Sequence, residues 1–243
     1  MANPLGVVAI TGGGSGIGLA IAQSLANAGY AVAIGGRTAA RLESAVAGYQ
    51  GELPLLHHEL DVTDRESVNK FFDWVESELG PVTILINSAG VNIPNRMMKE
   101  TSGDDWDRVL AINATGAFNC MARVLPRMRD RSDGLIINIS SISGKRATPL
   151  GGVAYDASKF AMTGLGICVA NEDGENGIRV TNIYPGEVDT PILEFRPQPV
   201  TDAHRAKILQ PEDVAPLVLT IVQLPPRAHV PELVIKPTAQ AYF

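Results

Sequence analysis

The sequence predicts an α/β fold in which a parallel sheet of about seven strands carries helices on both faces. Short β-branched apolar runs alternate with longer segments of helical period along the chain. The strand runs are apolar throughout rather than alternating, which is typical of parallel strands covered on both sides. Because crossovers between parallel strands are right-handed, the sheet is expected to be doubly wound. We expect one domain over 1–243, with a proline-rich, mobile loop at about 187–210.

The predicted strands are short apolar runs that end at glycine or polar residues. The first, V-V-A-I, stops at Thr11 and a glycine cluster, and the fourth, T-I-L-I, stops at Asn87. Runs rich in β-branched residues favour buried strands. Strands are predicted over 7–10, 31–34, 55–62, 83–86, 135–139, 178–183 and 233–235.

The predicted helices place apolar residues at spacings of three and four. The clearest one follows Thr63 and Glu66, which form a capping-box pattern, and it ends at Gly80 and Pro81. Pro126 is expected to kink a long helix near its end. Helices are predicted over 17–28, 39–49, 63–79, 106–129, 155–171 and 212–224.

The composition excludes several classes of protein. Of the 243 residues, 45% are hydrophobic and 19% are charged, which excludes intrinsic disorder. The 20 basic and 26 acidic residues give a net charge of −6, which argues against a general nucleic-acid binder. The first residues lack the basic segment of a signal peptide, and the longest uncharged run is interrupted by glycines. We therefore expect a soluble, cytoplasmic protein with no membrane partner.

The cysteines and histidines do not form a metal-binding pattern. Cys120 and Cys168 lie in apolar stretches without CxxC spacing, so both are expected to pack as small core residues. His57 and His58 are adjacent on a predicted strand and therefore point to opposite faces, and the other two histidines stand alone. We expect no catalytic metal.

A glycine-rich loop over 11–18, T-G-G-G-S-G-I-G, directly follows the first predicted strand and precedes a helix. Backbone N–H groups at a helix N-terminus bind pyrophosphate, and Cβ atoms in the loop would block its approach. The loop is not a Walker motif, because no Lys-Ser or Lys-Thr pair follows it, and it is not a nucleophile elbow. A flexible turn is the alternative interpretation, but the strand–loop–helix context favours a dinucleotide site.

The loop spacing, T-G-x-x-x-G-x-G, and five further motifs resemble those of the short-chain dehydrogenase/reductase family. The further motifs, in chain order, are N-S-A-G at 87–90, Asn113, N-I-S-S at 138–141, Y-D-A-S-K at 155–159 and P-G-E-V-D-T at 185–190. Each lies at the expected strand end or helix. The resemblance implies a Rossmann fold and a nicotinamide-dependent oxidoreductase that interconverts an alcohol and a carbonyl compound.

The candidate catalytic residues are Tyr155, Lys159, Ser141 and Asn113. Tyr155 and Lys159 are four residues apart on a predicted helix and share one face, so the ammonium is expected to lower the pKa of the phenol. Tyr155 would then donate a proton to the substrate oxygen as the nicotinamide delivers hydride. The resemblance implies that Ser141 binds the substrate oxygen, that Lys159 also holds the nicotinamide ribose, and that Asn113 anchors a relay water. Ser140 is the neighbouring alternative to Ser141.

The end of the second strand favours NADP(H) over NAD. Gly36 stands where NAD-preferring relatives carry an acidic residue, and Arg37 and Arg41 follow it. Arginine in the first turn of a helix opposes the macrodipole, and a 2′-phosphate would explain it, although a solvated arginine is the alternative. The resemblance implies that Asp61 and Val62 contact the adenine. The full set of expected cofactor contacts is Thr11, Gly12, Gly14, Ser15, Gly16, Ile17, Gly18, Arg37, Asp61, Val62, Asn87, Ala89, Gly90, Tyr155, Lys159, Pro185, Gly186, Val188 and Thr190.

The sequence says little about the substrate. Its binding site is expected to include 145–153 and the loop after Thr190, where Lys145, Arg146 and Arg196 would meet a carboxylate or remain solvated. The C-terminal stretch L-V-I-K-P-T resembles the subgroup that acts on 3-hydroxy acids and small alcohols. A 3-oxoacyl-thioester reductase is an alternative, disfavoured by the lack of a basic docking patch, and a non-catalytic NADP-binding module is another.

The resemblance also implies a homotetramer, or a homodimer, built on the long helices and the last strand. Gly164 and Gly166 would allow two such helices to approach closely.

Overall fold

The computed structural model describes residues 4–51 and 53–241, and one parallel sheet of seven strands runs through them. The strands lie in the order β3-β2-β1-β4-β5-β6-β7, with helices on both faces, which confirms the predicted doubly wound fold. Their bounds are β1 Val7–Thr11, β2 Ala31–Gly36, β3 Leu55–Glu59, β4 Ile84–Asn87, β5 Gly134–Ile139, β6 Ile178–Pro185 and β7 Glu232–Ile235.

Eight α-helices alternate with these strands in the described part of the chain. Their bounds are α1 Gly16–Asn27, α2 Ala39–Ala47, α3 Arg65–Leu79, α4 Gly103–Leu110, α5 Gly116–Asp130, α6 Val153–Asp173, α7 Asp202–Arg205 and α8 Pro211–Gln223. Short 3-10 turns lie at Ile142–Gly144, Gly174–Asn176 and Pro191–Phe195.

The sheet separates two apolar layers. Ile10, Ile34 and Ile137 point into one layer, which α1 and α8 close, and the neighbouring strand residues point into the other. Phe71 and Phe72 of α3 are fully buried in that second layer, at ring centroids 5.2 Å apart and nearly perpendicular. Burial of each such side chain stabilises the fold by roughly 1.5–3 kcal/mol. This packing fixes the carboxyl ends of the strands at one edge.

The N-terminus of α3 differs from the prediction. The N-cap is Asp64, whose carboxylate accepts a hydrogen bond from the Glu66 N–H at 2.9 Å. Thr63 instead donates its N–H and its hydroxyl to Asp61, at 2.9 and 2.7 Å. The predicted capping box on Thr63 is therefore wrong, because Asp61 accepts both donors of Thr63 and Asp64 accepts the N–H of the first helical turn. The predicted end at Gly80 is confirmed, with φ +95°.

The long helix predicted over 106–129 is three segments. A π-helical turn, Ala111–Thr115, joins α4 to α5. Pro126 lies inside α5, which continues to Asp130. A π turn inserts one extra residue into the helical ladder, and such turns occur frequently at functional sites. Here it contains Asn113.

Several smaller expectations are corrected. Cys120 is buried as predicted, but Cys168 is exposed on α6 because it lies on the side of the helix away from the sheet. Gly166 does face the sheet, since a Cβ there would come within 2.3 Å of Asn182 Oδ1, so it cannot serve a contact between subunits. Gly164 is open to solvent.

The segment 187–210 is more ordered than a plain loop. Val188 and Leu209 form a parallel bridge, and the 3-10 turn and α7 lie between them. Its mobility stays a prediction. No helix among the described residues is long and apolar enough to cross a bilayer.

Candidate active site

A cleft of about 480 Å³ lies at the carboxyl ends of the strands. It is centred where the strand order reverses between β1 and β4, the position at which open parallel sheets bind ligands. Thr11 of β1 pairs with Gly35 on one side and Asn87 on the other, so the loops after these strands diverge and leave the cleft between them.

The glycine loop forms one end of the cleft and leaves no room for side chains. Gly12 has φ +67°, and a Cβ there would come within 2.8 Å of the Ala89 backbone. A Cβ on Gly18 would lie 2.5 Å from the Gly12 carbonyl oxygen. The first turn of α1 contains no acidic residue, and the Ser15 hydroxyl does not cap it. The positive end of the helix therefore opens into the cleft, which fits a dinucleotide pyrophosphate.

Two expected cofactor contacts do not line the cleft. The hydroxyl of Thr11 accepts hydrogen bonds from the N–H groups of Ser88 and Ala89, at 3.1 and 3.0 Å. The amide of Asn87 donates to Asn138, which in turn donates to Asn182, at 2.9 and 3.0 Å. These buried bonds tie the ends of neighbouring strands together beneath the site. All the other expected cofactor contacts line the cleft.

Tyr155 and Lys159 lie on the cleft side of α6. The ammonium of Lys159 is buried and donates to the Ile139 carbonyl at 2.9 Å. Burial lowers the pKa of Lys159 to about 8. Burial also raises the pKa of the Tyr155 phenol, and Lys159 is not among the groups that shift it. The expected lowering of the Tyr155 pKa by Lys159 is therefore wrong for this structure, because desolvation dominates.

The structure separates the two candidate serines. Ser141 contacts the Tyr155 hydroxyl, and its hydrogen bond lowers the pKa of the phenol. Its Oγ also accepts from the Ser143 N–H at 3.1 Å. Ser140, by contrast, is buried with its Oγ 3.3 Å from the Lys159 carbonyl oxygen. The hydroxyl of Ser141 therefore lies beside Tyr155, whereas the hydroxyl of Ser140 connects the end of β5 to α6 through a hydrogen bond.

Asn113 lies behind the cleft rather than in its wall. Its Oδ1 accepts from the Val91 N–H at 2.8 Å, and its Nδ2 donates to the Val91 carbonyl and to Ser158 Oγ, both at 2.9 Å. Ser158 donates in turn to the Tyr155 carbonyl at 2.7 Å. Asn113 in the π turn thus connects the loop after β4 to α6, the helix that carries Tyr155.

Arg37 and Arg41 line the outer end of the cleft, next to Gly36. Both are exposed, and neither forms an ion pair with a described residue. The side chain of Arg41 passes close to Gly14, and α2 has no acidic residue in its first turn. This end of the cleft is therefore positively charged.

The opposite end of the cleft contains residues of the two segments predicted to bind substrate, 145–153 and the loop after Thr190, together with Arg96, which the sequence did not reveal. The side chain of Arg96 is buried there, and Phe195 and Leu150 form the rim. Of the cations proposed from the sequence, Lys145 pairs with Glu232 at 2.6 Å and lies outside the lining. Only tertiary contacts bring Arg96 to this position, since nothing in its local sequence marks it. No cluster of metal-binding side chains occurs within 4–51 and 53–241.

Comparisons with known proteins show the family to which the chain belongs. The short chain dehydrogenase family model matches residues 6–200. A farnesol dehydrogenase from Aedes aegypti is 35% identical over 243 residues, covering 97% of each chain. An alcohol dehydrogenase from the archaeon Thermococcus sibiricus, complexed with 5-hydroxy-NADP, has a TM-score of 0.87 at 28% identity, covering 97% of this chain and 98% of that one. A serine dehydrogenase complexed with NADP⁺ has a TM-score of 0.88 at 27% identity, covering 97% and 96%. The chain belongs to the short-chain dehydrogenase/reductase family of oxidoreductases.

Proposed function

We propose that the protein transfers a hydride between NADP(H) and a ketone or secondary alcohol. The observation that carries this proposal is the contact between the hydroxyls of Tyr155 and Ser141 inside the cleft, with the buried Lys159 on the same helix. A bound nicotinamide supplies the hydride. The residues of the chain orient the carbonyl group and provide its proton.

Tyr155 is the proposed proton donor in the reductive direction. Its raised pKa keeps the phenol protonated at neutral pH, which suits donation to the substrate oxygen. The carbonyl carbon gains the hydride, the oxygen gains the Tyr155 proton, and the phenolate is reprotonated from solvent. Ser141 holds the same oxygen by a hydrogen bond. Lys159 supplies positive charge next to the phenolate that forms.

Asn113 is proposed as a positioning residue. Its amide atoms bond Val91 and Ser158, so its contacts support the geometry of α6. These contacts give no separate support to the expected relay water.

NADP(H) is the proposed cofactor, with NAD less favoured. A guanidinium binds a phosphate through paired hydrogen bonds, and Arg37 and Arg41 line the cleft next to Gly36, so they would hold the 2′-phosphate of NADP(H). The two structural relatives described above contain NADP or a derivative of it. The proposed substrates are small 3-oxo or 3-hydroxy acids and related alcohols, and serine, named for one relative, is itself a 3-hydroxy acid.

We also propose that the chain forms a homotetramer or homodimer. Phe118 of α5 and Phe160 and Ile167 of α6 are exposed apolar side chains, with Phe160 and Ile167 on one stripe of α6. Light scattering tests this: Phe160→Glu is expected to lower the molar mass. A molar mass equal to that of one chain for the unsubstituted protein would contradict the proposed assembly.

The activity is tested by following nicotinamide absorbance with a panel of ketones, 3-oxo acids, their alcohols and 3-oxoacyl thioesters. Turnover with NADPH and free carbonyl compounds is expected, and NADH should be used less well. Consumption of thioesters alone would favour the thioester reductase. Tight NADPH binding without turnover of any carbonyl compound would favour the non-catalytic module.

A further inference from the structure

Arg96 is a buried cation in the wall of the substrate end of the cleft, only 5% exposed. It lies in the loop between β4 and α4. Its Nε donates to the Ile93 carbonyl at 2.8 Å, Nη1 to the Leu150 carbonyl at 2.5 Å and Nη2 to the Phe195 carbonyl at 2.9 Å. No carboxylate of 4–51 or 53–241 forms an ion pair with it. The three hydrogen bonds of the guanidinium therefore all go to neutral carbonyl oxygens, and the Asp156 carboxylate acts on it only through its charge, which raises the pKa of Arg96.

This environment leaves the charge of Arg96 incompletely compensated. Removing a guanidinium from water carries a large desolvation penalty, which neutral carbonyls offset only in part. Burial accordingly lowers the pKa of Arg96. A guanidinium has five N–H donors, and three are used here, so two on the Nη atoms remain for a ligand. Carboxylates match this paired geometry.

Arg96 is close to the proposed reacting group. Its backbone carbonyl accepts from the Val153 N–H at 3.1 Å, at the start of the helix that carries Tyr155. A Cβ on Gly152 would lie 2.5 Å from Arg96 Cβ, so the two backbones touch. The charge of Arg96 also lowers the pKa of the Tyr155 phenol. A molecule held by Arg96 would therefore lie beside Tyr155.

The other cations at this end of the cleft are less suited to select a small anion. Arg196 pairs with Glu187 at 2.9 Å. Arg108 and Arg146 line the cleft but are exposed, and water and salt screen such charges. Lys159 is also buried without an ion pair, but the proposed function already uses it beside Tyr155, so Arg96 is the remaining buried cation of the cleft that forms no ion pair with a described residue.

We propose that Arg96 binds a carboxylate of the substrate, so that the protein acts on small anionic carbonyl compounds and the corresponding hydroxy acids. This inference rests on the proposed oxidoreductase function and assigns its substrate class. Arg96 also joins the two rims of the cleft through Leu150 and Phe195, so a purely structural role is the competing explanation. The experiment must separate recognition of charge from support of the rims.

A matched acid and ester distinguish recognition of the carboxylate charge from structural support of the cleft rims. Acetoacetate and methyl acetoacetate share the reacting carbonyl and differ in charge, so a general loss of structure lowers kcat/KM for both and leaves their ratio unchanged. The wild-type protein is expected to favour the acid. In Arg96→Gln the acid/ester ratio is expected to fall about 100-fold, and Arg96→Lys should retain part of it.

Arg131→Gln is the matched control. Its guanidinium also donates only to backbone carbonyls, those of Asp133 and Val82, and burial lowers its pKa, but it lies at the opposite ends of the strands. The acid/ester ratio should not change in this variant. Preference of the wild type for the ester, or equal losses for acid and ester in Arg96→Gln, would overturn the inference while leaving the oxidoreductase function intact.

Calorimetric titration of the same two compounds into the wild type and Arg96→Gln measures binding without turnover. Selective binding of acetoacetate by the wild type, weakened about 100-fold in the variant, would support the anion site. Absence of acetoacetate binding, or equal affinity for acid and ester, would overturn it. Selective binding together with no turnover of any panel compound would count against the proposed function alone.

Discussion

The ammonium of Lys159 lies 5.6 Å from the centre of the Tyr155 ring, one turn further along α6. Its Nζ is fixed by the Ile139 carbonyl at the end of β5. The helix therefore presents the phenol to the cleft while the sheet holds the lysine that stands beside it. A cation kept in this position is costly, because no carboxylate of the described residues pairs with it.

Replacing Lys159 by Met is expected to stabilise the protein while removing activity. The pKa of Lys159 falls from 10.5 to about 8 on folding, a penalty of about 3 kcal/mol at neutral pH. Loss of the hydrogen bond to Ile139 offsets part of this, leaving a net gain of about 1–2 kcal/mol in the free energy of unfolding. Urea denaturation at pH 7 measures it, with Lys70→Met on the exposed face of α3 as a control that should change little.

The same substitution has a defined pH dependence. Between pH 8 and 10.5 the unfolded chain holds a proton on Lys159 that the folded chain has released, so stability of the wild type rises with pH across this range. The penalty is complete below pH 8 and gone above 10.5. The advantage of Lys159→Met should therefore shrink as the pH rises, and a constant advantage would contradict the assigned pKa.

Replacing Arg37 and Arg41 by Ala is expected to weaken NADPH binding selectively. Both side chains are exposed, so we expect a loss of about tenfold for each rather than the larger loss typical of buried pairs. NADH lacks the 2′-phosphate and serves as the internal control, because its affinity should be unchanged. Fluorescence titration measures the affinity for NADPH and for NADH. Equal losses of affinity for the two cofactors would show that the arginines do not bind the 2′-phosphate.

Replacing Asn113 by Ala is expected to destabilise the fold by about 3 kcal/mol. The change removes three hydrogen bonds and leaves the N–H and carbonyl of Val91 without those partners. Asn95→Ala is the control, since Asn95 is exposed in the same loop and its side chain forms no hydrogen bond within the described chain. Similar urea midpoints for Asn113→Ala and the wild type would contradict the conclusion that the Asn113 hydrogen bonds stabilise the fold.

Strand positions and the glycine loop could be predicted because their causes are local. A continuous apolar run must be covered on both sides, and only glycine fits where a Cβ would strike Ala89 or the Gly12 carbonyl. The N-cap of α3 was missed because three neighbouring polar residues compete for it. Cys168 was misplaced because an apolar neighbourhood in sequence does not decide which side of α6 a residue occupies.

The position of Arg96 could not be predicted from the sequence for a different reason. Its burial depends on three carbonyls from Ile93, Leu150 and Phe195, and the last two belong to loops distant in sequence. A single arginine between two loops carries no pattern from which those contacts follow. The π turn at Asn113 likewise depends on the loop after β4, because it is the backbone of Val91 that engages its amide.

The most direct test of the proposed chemistry is the single-turnover rate of NADPH oxidation by Tyr155→Phe. The substitution removes one hydroxyl and keeps the ring that lines the cleft. The rate is expected to fall about a thousandfold with NADPH affinity nearly unchanged, because general acid catalysis contributes about 10²–10⁴-fold. A variant that oxidises NADPH at the wild-type rate would contradict the role of Tyr155 as the proton donor.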